Sequence, residues 1–92
     1  GRLRLAASGD GRDGSLSLHQ DADLFVARLG AGERVEHAPA AHRRLWLQVA
    51  TGDVRLNGRQ LGGGDGAAIA DEPVLTIEGG DDAQVLLFDM TA

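Results

Sequence analysis

Three histidines, His19, His37 and His42, stand among fourteen carboxylates and offer this chain its widest choice of chemistry. A transition-metal site usually takes at least three protein ligands. The nearest approach to such a set is Glu36, His37 and His42. Side chains on one face of a strand are separated by even intervals, so the five-residue step from His37 to His42 sends the two to opposite faces unless a loop intervenes. Pro39 supplies that loop, which keeps Glu36, His37 and His42 as the residues to examine for a metal. Their plainer reading is as solvated polar residues on a loop, at a mouth or an interface. His19 stands alone beside a turn and reads as a surface histidine.

Other motifs resolve into turns. Residues 9–14 spell G-D-G-R-D-G, a match to the dinucleotide fingerprint G-x-G-x-x-G. That fingerprint works only where a helix follows and points its N-terminus at the pyrophosphate. Here Ser15-Leu16-Ser17-Leu18 follows, a strand pattern, and Asp10 and Asp13 would repel the phosphates. Residues 62–66, G-G-G-D-G, lack the lysine of a phosphate loop and the several converging oxygens of a calcium loop. A β-turn in which Asp65 binds nearby backbone N–H groups explains them better. Ser8, Ser15 and Ser17 lie in or beside a turn with no G-x-S-x-G elbow around them. No catalytic residue is assigned, and no cofactor-binding residue.

The elements that would carry these residues are strands. Apolar residues alternate at Leu3 and Leu5, Leu16 and Leu18, over 24–29, 45–49, 54–56 and 74–77, and over 85–88. Turn clusters separate them at 8–15, 30–32, 51–53, 62–66 and 79–82. Asn57-Gly58 is the sharpest of the turn signals, because a two-residue type I′ turn needs positive φ at both positions. Helical spacing never lasts three turns. The pattern predicts an all-β domain, an antiparallel β-barrel or jelly roll with no helix longer than a turn or two. Leu45, Leu47, Leu56, Ile69, Leu75, Ile77, Leu86 and Phe88 are the candidates to fill its interior, although alternation does not say which face each takes. Trp46, between Leu45 and Leu47, points to the face opposite theirs and is read as core or interface, with the core as the first expectation.

Composition narrows the function classes. The 92 residues make one domain, residues 1–92, with 42% hydrophobic and 25% charged residues. All nine basic residues are arginine, the net charge is −5, and aromatics are 3%, so neither a basic face nor a stacking platform is on offer to nucleic acid. No apolar run has the length of a membrane-spanning helix. The absence of cysteine removes disulfides and thiolate chemistry and fits a reducing, cytoplasmic setting. The chain starts at Gly1 rather than Met and is expected to be a piece of something longer.

Several segments taken together, D-G-R-D-G-S-L-S-L-H-Q-D over 10–21, G-E-R-V-E-H-A over 32–38, L-W-L-Q-V-A-T-G over 45–52 and the stretch from Asn57 to Pro73, resemble the C-terminal half of bacterial pirin-like proteins. These are bicupins, often named quercetin 2,3-dioxygenase-like, with two β-barrel halves in one chain. The resemblance implies a cupin fold. It also implies that an iron-type metal is carried by three histidines and a glutamate of the N-terminal half, so that no cofactor is expected within this chain. Set against the metal-binding motifs of cupins, Leu45 stands at the glutamate position and Leu75 at the second-motif histidine. Near the first histidine pair lies His37, but two residues on is Pro39. The expectation is a metal-free, non-catalytic cupin domain that packs against a metal-binding N-terminal half or a second copy of itself, with 3–7 as the first segment to cross between copies. The alternatives are a small-molecule site at the barrel mouth and a quercetin 2,3-dioxygenase-like, metal-dependent oxidoreductase.

Overall fold

A computed structural model of the protein describes residues 3–8, 16–17, 22–39, 43–70 and 72–91. Ten strands are present: β1 (Arg4–Ser8), β2 (Leu16–Ser17), β3 (Ala22–Leu29), β4 (Arg34–His37), β5 (Arg43–Thr51), β6 (Asp53–Leu56), β7 (Arg59–Gly62), β8 (Gly66–Ala70), β9 (Leu75–Gly79) and β10 (Ala83–Thr91). There is no helix among the described residues. The strands form a six-stranded sheet in the order β2-β1-β3-β10-β5-β8 and a four-stranded sheet in the order β4-β9-β6-β7. All pairings are antiparallel except β1 with β2, which run parallel. The two sheets form an open jelly-roll sandwich and do not close into a barrel. The segment expected to cross between copies pairs with β3 of its own chain.

The turns form where their chemistry requires. Asn57 and Gly58 have φ of 47° and 84°, the left-handed pair of a I′ hairpin, and join Leu56 to Arg59 as cross-strand neighbours. Asn57 does more than turn. Its Oδ1 accepts from the Thr76 N–H at 2.7 Å and its Nδ2 donates to the Val74 carbonyl at 3.3 Å, which ties the hairpin to the approach of β9. Asp65 behaves as the turn reading expects, accepting the Gly62 N–H at 2.9 Å. The G-x-G-x-x-G stretch at 9–14 lies outside the described residues.

The core is apolar and continuous between the sheets. Leu29, Leu47, Val49, Val85 and Leu87 from the larger sheet meet Val54, Leu75 and Ile77 from the smaller, all fully buried. Each such side chain removed from water contributes roughly 1.5–3 kcal/mol. Of the expected interior residues, Leu45, Leu47, Leu56, Ile69, Leu75 and Ile77 are in this core. Leu86 and Phe88 are not. In β10 the buried positions are Ala83, Val85, Leu87 and Asp89, so the period of two sends Leu86 and Phe88 to the outward face. Trp46 is corrected in the same way: its neighbours Leu45 and Leu47 point inward, and Trp46 lies outside, 39% exposed. Its ring covers Gly66 on β8, where a Cβ would collide with the indole, and its Nε1 donates to Gln48 Oε1 at 3.2 Å.

Candidate functional site

The strand β4 was not expected, because Arg34-Val35-Glu36-His37 carries a single apolar residue. Tertiary pairing makes it a strand, set antiparallel to β9 with Val35 opposite Ile77 and His37 opposite Leu75. Val35 is buried, so its alternation partners separate: Glu36 is exposed and His37 turns inward. The solvated-loop reading of His37 is therefore corrected, and Glu36 and His37 do not converge. His42 and His19 lie outside the described residues.

His37 meets a buried carboxylate. Its Nε2 is 2.9 Å from Asp89 Oδ2, on β10 of the opposite sheet. A carboxylate only accepts, so Nε2–H is the donor. Arg43, the first residue of β5, completes the cluster: its Nε donates to Asp89 Oδ1 at 2.7 Å and its terminal nitrogen to the Asp89 carbonyl at 2.8 Å. Phe25 of β3 packs against the His37 ring with centroids 4.9 Å apart and planes tilted by 53°. The side chains of His37, Arg43 and Asp89 are 17%, 17% and 9% exposed, so the charges are largely withdrawn from water. Such a pair is tolerated when each oxygen has its partners, and both Asp89 oxygens do.

Asp89 and Arg43 were not singled out from the sequence. The signal was parity: in 83–89 every second residue is apolar and inward until Asp89 takes the fourth inward position, where a carboxylate must find a partner. What the cluster does chemically is clasp. It joins the end of β4 in one sheet to β10 and β5 in the other.

Among the described residues no metal cage is formed. Asp89 lies opposite Leu45 across β5 and β10, and His37 lies opposite Leu75 across β4 and β9. Leu45 and Leu75, at the positions where cupin motifs would supply a glutamate and a histidine, are 3% and 0% exposed, packed into the core. His37, the one imidazole among the described residues, has its Nε2 engaged by Asp89. No three His, Cys, Asp or Glu side chains converge among the described residues.

Known proteins are similar to this chain in sequence and in fold. Quercetin 2,3-dioxygenase of Escherichia coli (strain K12) is 45% identical over 87 residues, 95% of this chain and 38% of that protein. A pirin-like protein of Caulobacter vibrioides is 39% identical over 97% of this chain and 39% of its own. Among solved structures, the bacterial pirin YhhW from Escherichia coli in complex with nickel(II) superposes with a TM-score of 0.93 at 44% identity, over 97% of this chain and 39% of that one. The chain therefore spans about two fifths of the length of these relatives. A family model described as the quercetinase C-terminal cupin domain matches residues 5–90. On this match, and on the close superposition with YhhW, the chain belongs to the quercetinase C-terminal cupin domain family.

Proposed function

We propose that this domain is a metal-free, non-catalytic partner to the rest of a longer pirin-like protein, and that it gives structural support to a metal-binding N-terminal half. The observation that carries the reading is the burial of Leu45 and Leu75 at the would-be ligand positions. Replacing either apolar side chain by a carboxylate or imidazole would place an unpartnered polar group in the core, which costs several kcal/mol unless a metal or hydrogen bond compensates. The quercetin 2,3-dioxygenase activity for which relatives are named is assigned to the remainder of such a chain, with its iron-type metal. The absence of cysteine and the acidic, aromatic-poor composition support a cytoplasmic protein without nucleic-acid or membrane partners.

The test is a titration of the purified 92-residue chain with Ni(II) and with anaerobic Fe(II), followed by desalting and metal analysis. The expected outcome is no stoichiometric retention of either metal. Retention of one metal per chain, lost in His37→Ala, would transfer the metal chemistry to this domain and overturn the reading.

A further inference from the structure

Four strands stand at the edges of the two sheets: β2 and β8 in the larger, β4 and β7 in the smaller. An exposed edge invites pairing with another chain, and proteins blunt it with short strands or charged side chains. The strand β2 is two residues long, β4 carries Arg34, Glu36 and His37, and β7 exposes Arg59 and Gln60. The strand β8 has neither device: Gly66-Ala67-Ala68-Ile69-Ala70 is five residues without a charge or a proline. Its outward backbone groups follow from the register. The Val49 N–H donates to the Asp65 carbonyl at 2.9 Å, so the odd-numbered residues of β5 turn their backbone toward β8, where Ala67 and Ile69 are their partners. Ala68 and Ala70 therefore point N–H and C=O out at the edge, and no strand meets them among the described residues.

Hollows flank this edge on both faces of the sheet. On the outward face one of about 360 Å³ lies over Ala68 and Ala70, with Arg44, Trp46 and Met90 around it. The register explains it: Trp46 and Arg44 stand opposite Ala68 and Ala70, which rise only to a methyl. Arg44 is exposed and meets no carboxylate among the described residues. On the inward side a second hollow, of about 270 Å³, lies where the two sheets do not close, between β8 and the hairpin of β6 and β7. Leu56, Arg59 and Glu72 line it together with Ile69. Successive residues of a strand alternate faces, so a strand laid along β8 would deliver its side chains to the two hollows in turn.

We propose that β8 is a strand-addition site, which takes an extended peptide of another protein, in antiparallel register, as a seventh strand of the larger sheet. Backbone bonds at Ala68 and Ala70 hold the peptide, and the hollows select its side chains. The residue opposite Ala68 is aromatic and lies beside the exposed indole of Trp46. The one opposite Ala70 is acidic and pairs with Arg44, and those opposite Ala67 and Ile69 are aliphatic and face Leu56. A second copy fits less well, because the glycine, alanines and lone isoleucine of another β8 fill the outward hollow poorly and bring Arg44 no carboxylate. The inference stands apart from the metal-free reading, since it concerns a sheet edge and holds or falls whatever metal the domain retains.

Trp46, the chain's single tryptophan, reports binding directly. The probe is a synthetic, end-blocked peptide, Ser-Glu-Val-Phe-Val-Thr-Ser, titrated into the 92-residue chain and followed by tryptophan fluorescence and calorimetry. The expected result is a saturable change at equimolar stoichiometry. Ala68→Pro removes an edge donor that the pairing with β5 does not use, a substitution that edge strands tolerate. The domain should stay folded by circular dichroism while binding weakens by at least about tenfold. Arg44→Glu should weaken binding of this peptide by about tenfold and favour a version with lysine in place of glutamate. Partial unfolding does not produce such a reversal, so it decides the matter if Ala68→Pro fails to fold. No saturable change at millimolar peptide would overturn the proposal, as would undiminished binding by folded Ala68→Pro or an unchanged charge preference in Arg44→Glu. A concentration-dependent dimer by light scattering, abolished in Ala68→Pro, would make the occupant a second copy and overturn it equally.

Discussion

The two sheets turn opposite chemistries outward. On the four-stranded sheet the outward residues are charged and of mixed sign: Arg34 lies opposite Glu78, and Glu78 opposite Arg55. Such alternation suits a solvated face, where cross-strand neighbours of opposite charge stabilise pairing by a few tenths of a kcal/mol. On the six-stranded sheet the same outward positions hold Val26, Leu86 and Phe88. Both sheets feed one core, so the difference owes nothing to the needs of that core. It teaches that burial within this domain accounts for the inward residues of both sheets and not for the apolar outward band of the larger one.

That comparison breaks first at β10, where inward and outward leucines are adjacent. Leu87 is fully buried between Phe25 and Leu47, whereas Leu86 lies outside between Val26 and Gln48. Leu87→Ala should destabilise the isolated domain by about 2–5 kcal/mol through lost burial and a residual cavity. Leu86→Ala should cost less than about 1 kcal/mol, since its environment is already half open. Urea denaturation of both variants checks this. Equal losses would mean that the outward face is covered from within the chain, and the contrast between the sheets would fall.

A second test concerns the polar end of the inward face. Asp89→Ala removes the carboxylate that His37 and Arg43 share, while Arg43 keeps its bond to the carbonyl of position 89, and should cost about 3 kcal/mol, in the range found when one member of a buried ion pair is removed. His37→Ala should cost only about 1 kcal/mol, because Arg43 still serves Asp89 through two hydrogen bonds. The ratio is what matters. If His37→Ala proved the more damaging, the histidine would hold more than Asp89, and a ligand role at the mouth would return.

These two tests also mark where the sequence could be read and where it could not. The hairpin at Asn57-Gly58, the Asp65 turn and the all-strand architecture were legible because local rules decide them: positive φ, an Asx hydrogen bond, a period of two. The strand β4 was not, since a segment with Val35 as its one apolar residue becomes a strand only through pairing with β9. The placing of Trp46, Leu86 and Phe88 failed for a different reason. Alternation identifies the inner face by its contrast with a polar outer face, and here both faces of β10 are apolar from Val85 to Phe88. The resemblance to metal-binding cupins placed Leu45 and Leu75 at ligand positions, but the clasp between His37, Asp89 and Arg43 joins residues as much as 52 apart. Only the fold brings those together.

The smallest effect expected is also the most local reading of the outward face. Trp46 is the chain's single tryptophan, and its ring lies over Gly66 at the edge of the apolar band. A methyl group at position 66 collides with the indole, which is 39% exposed and can swing toward solvent. Gly66→Ala should therefore cost less than about 1 kcal/mol, because a mobile side chain yields where packed backbone would not. The indole would lose its hydrogen bond to Gln48 Oε1 as it moves. Fluorescence emission from Trp46 should shift to the red in Gly66→Ala while the denaturation midpoint changes little. A large loss of stability with an unshifted emission would show that the ring is held in place from outside, and that this edge of the face is already occupied within the domain.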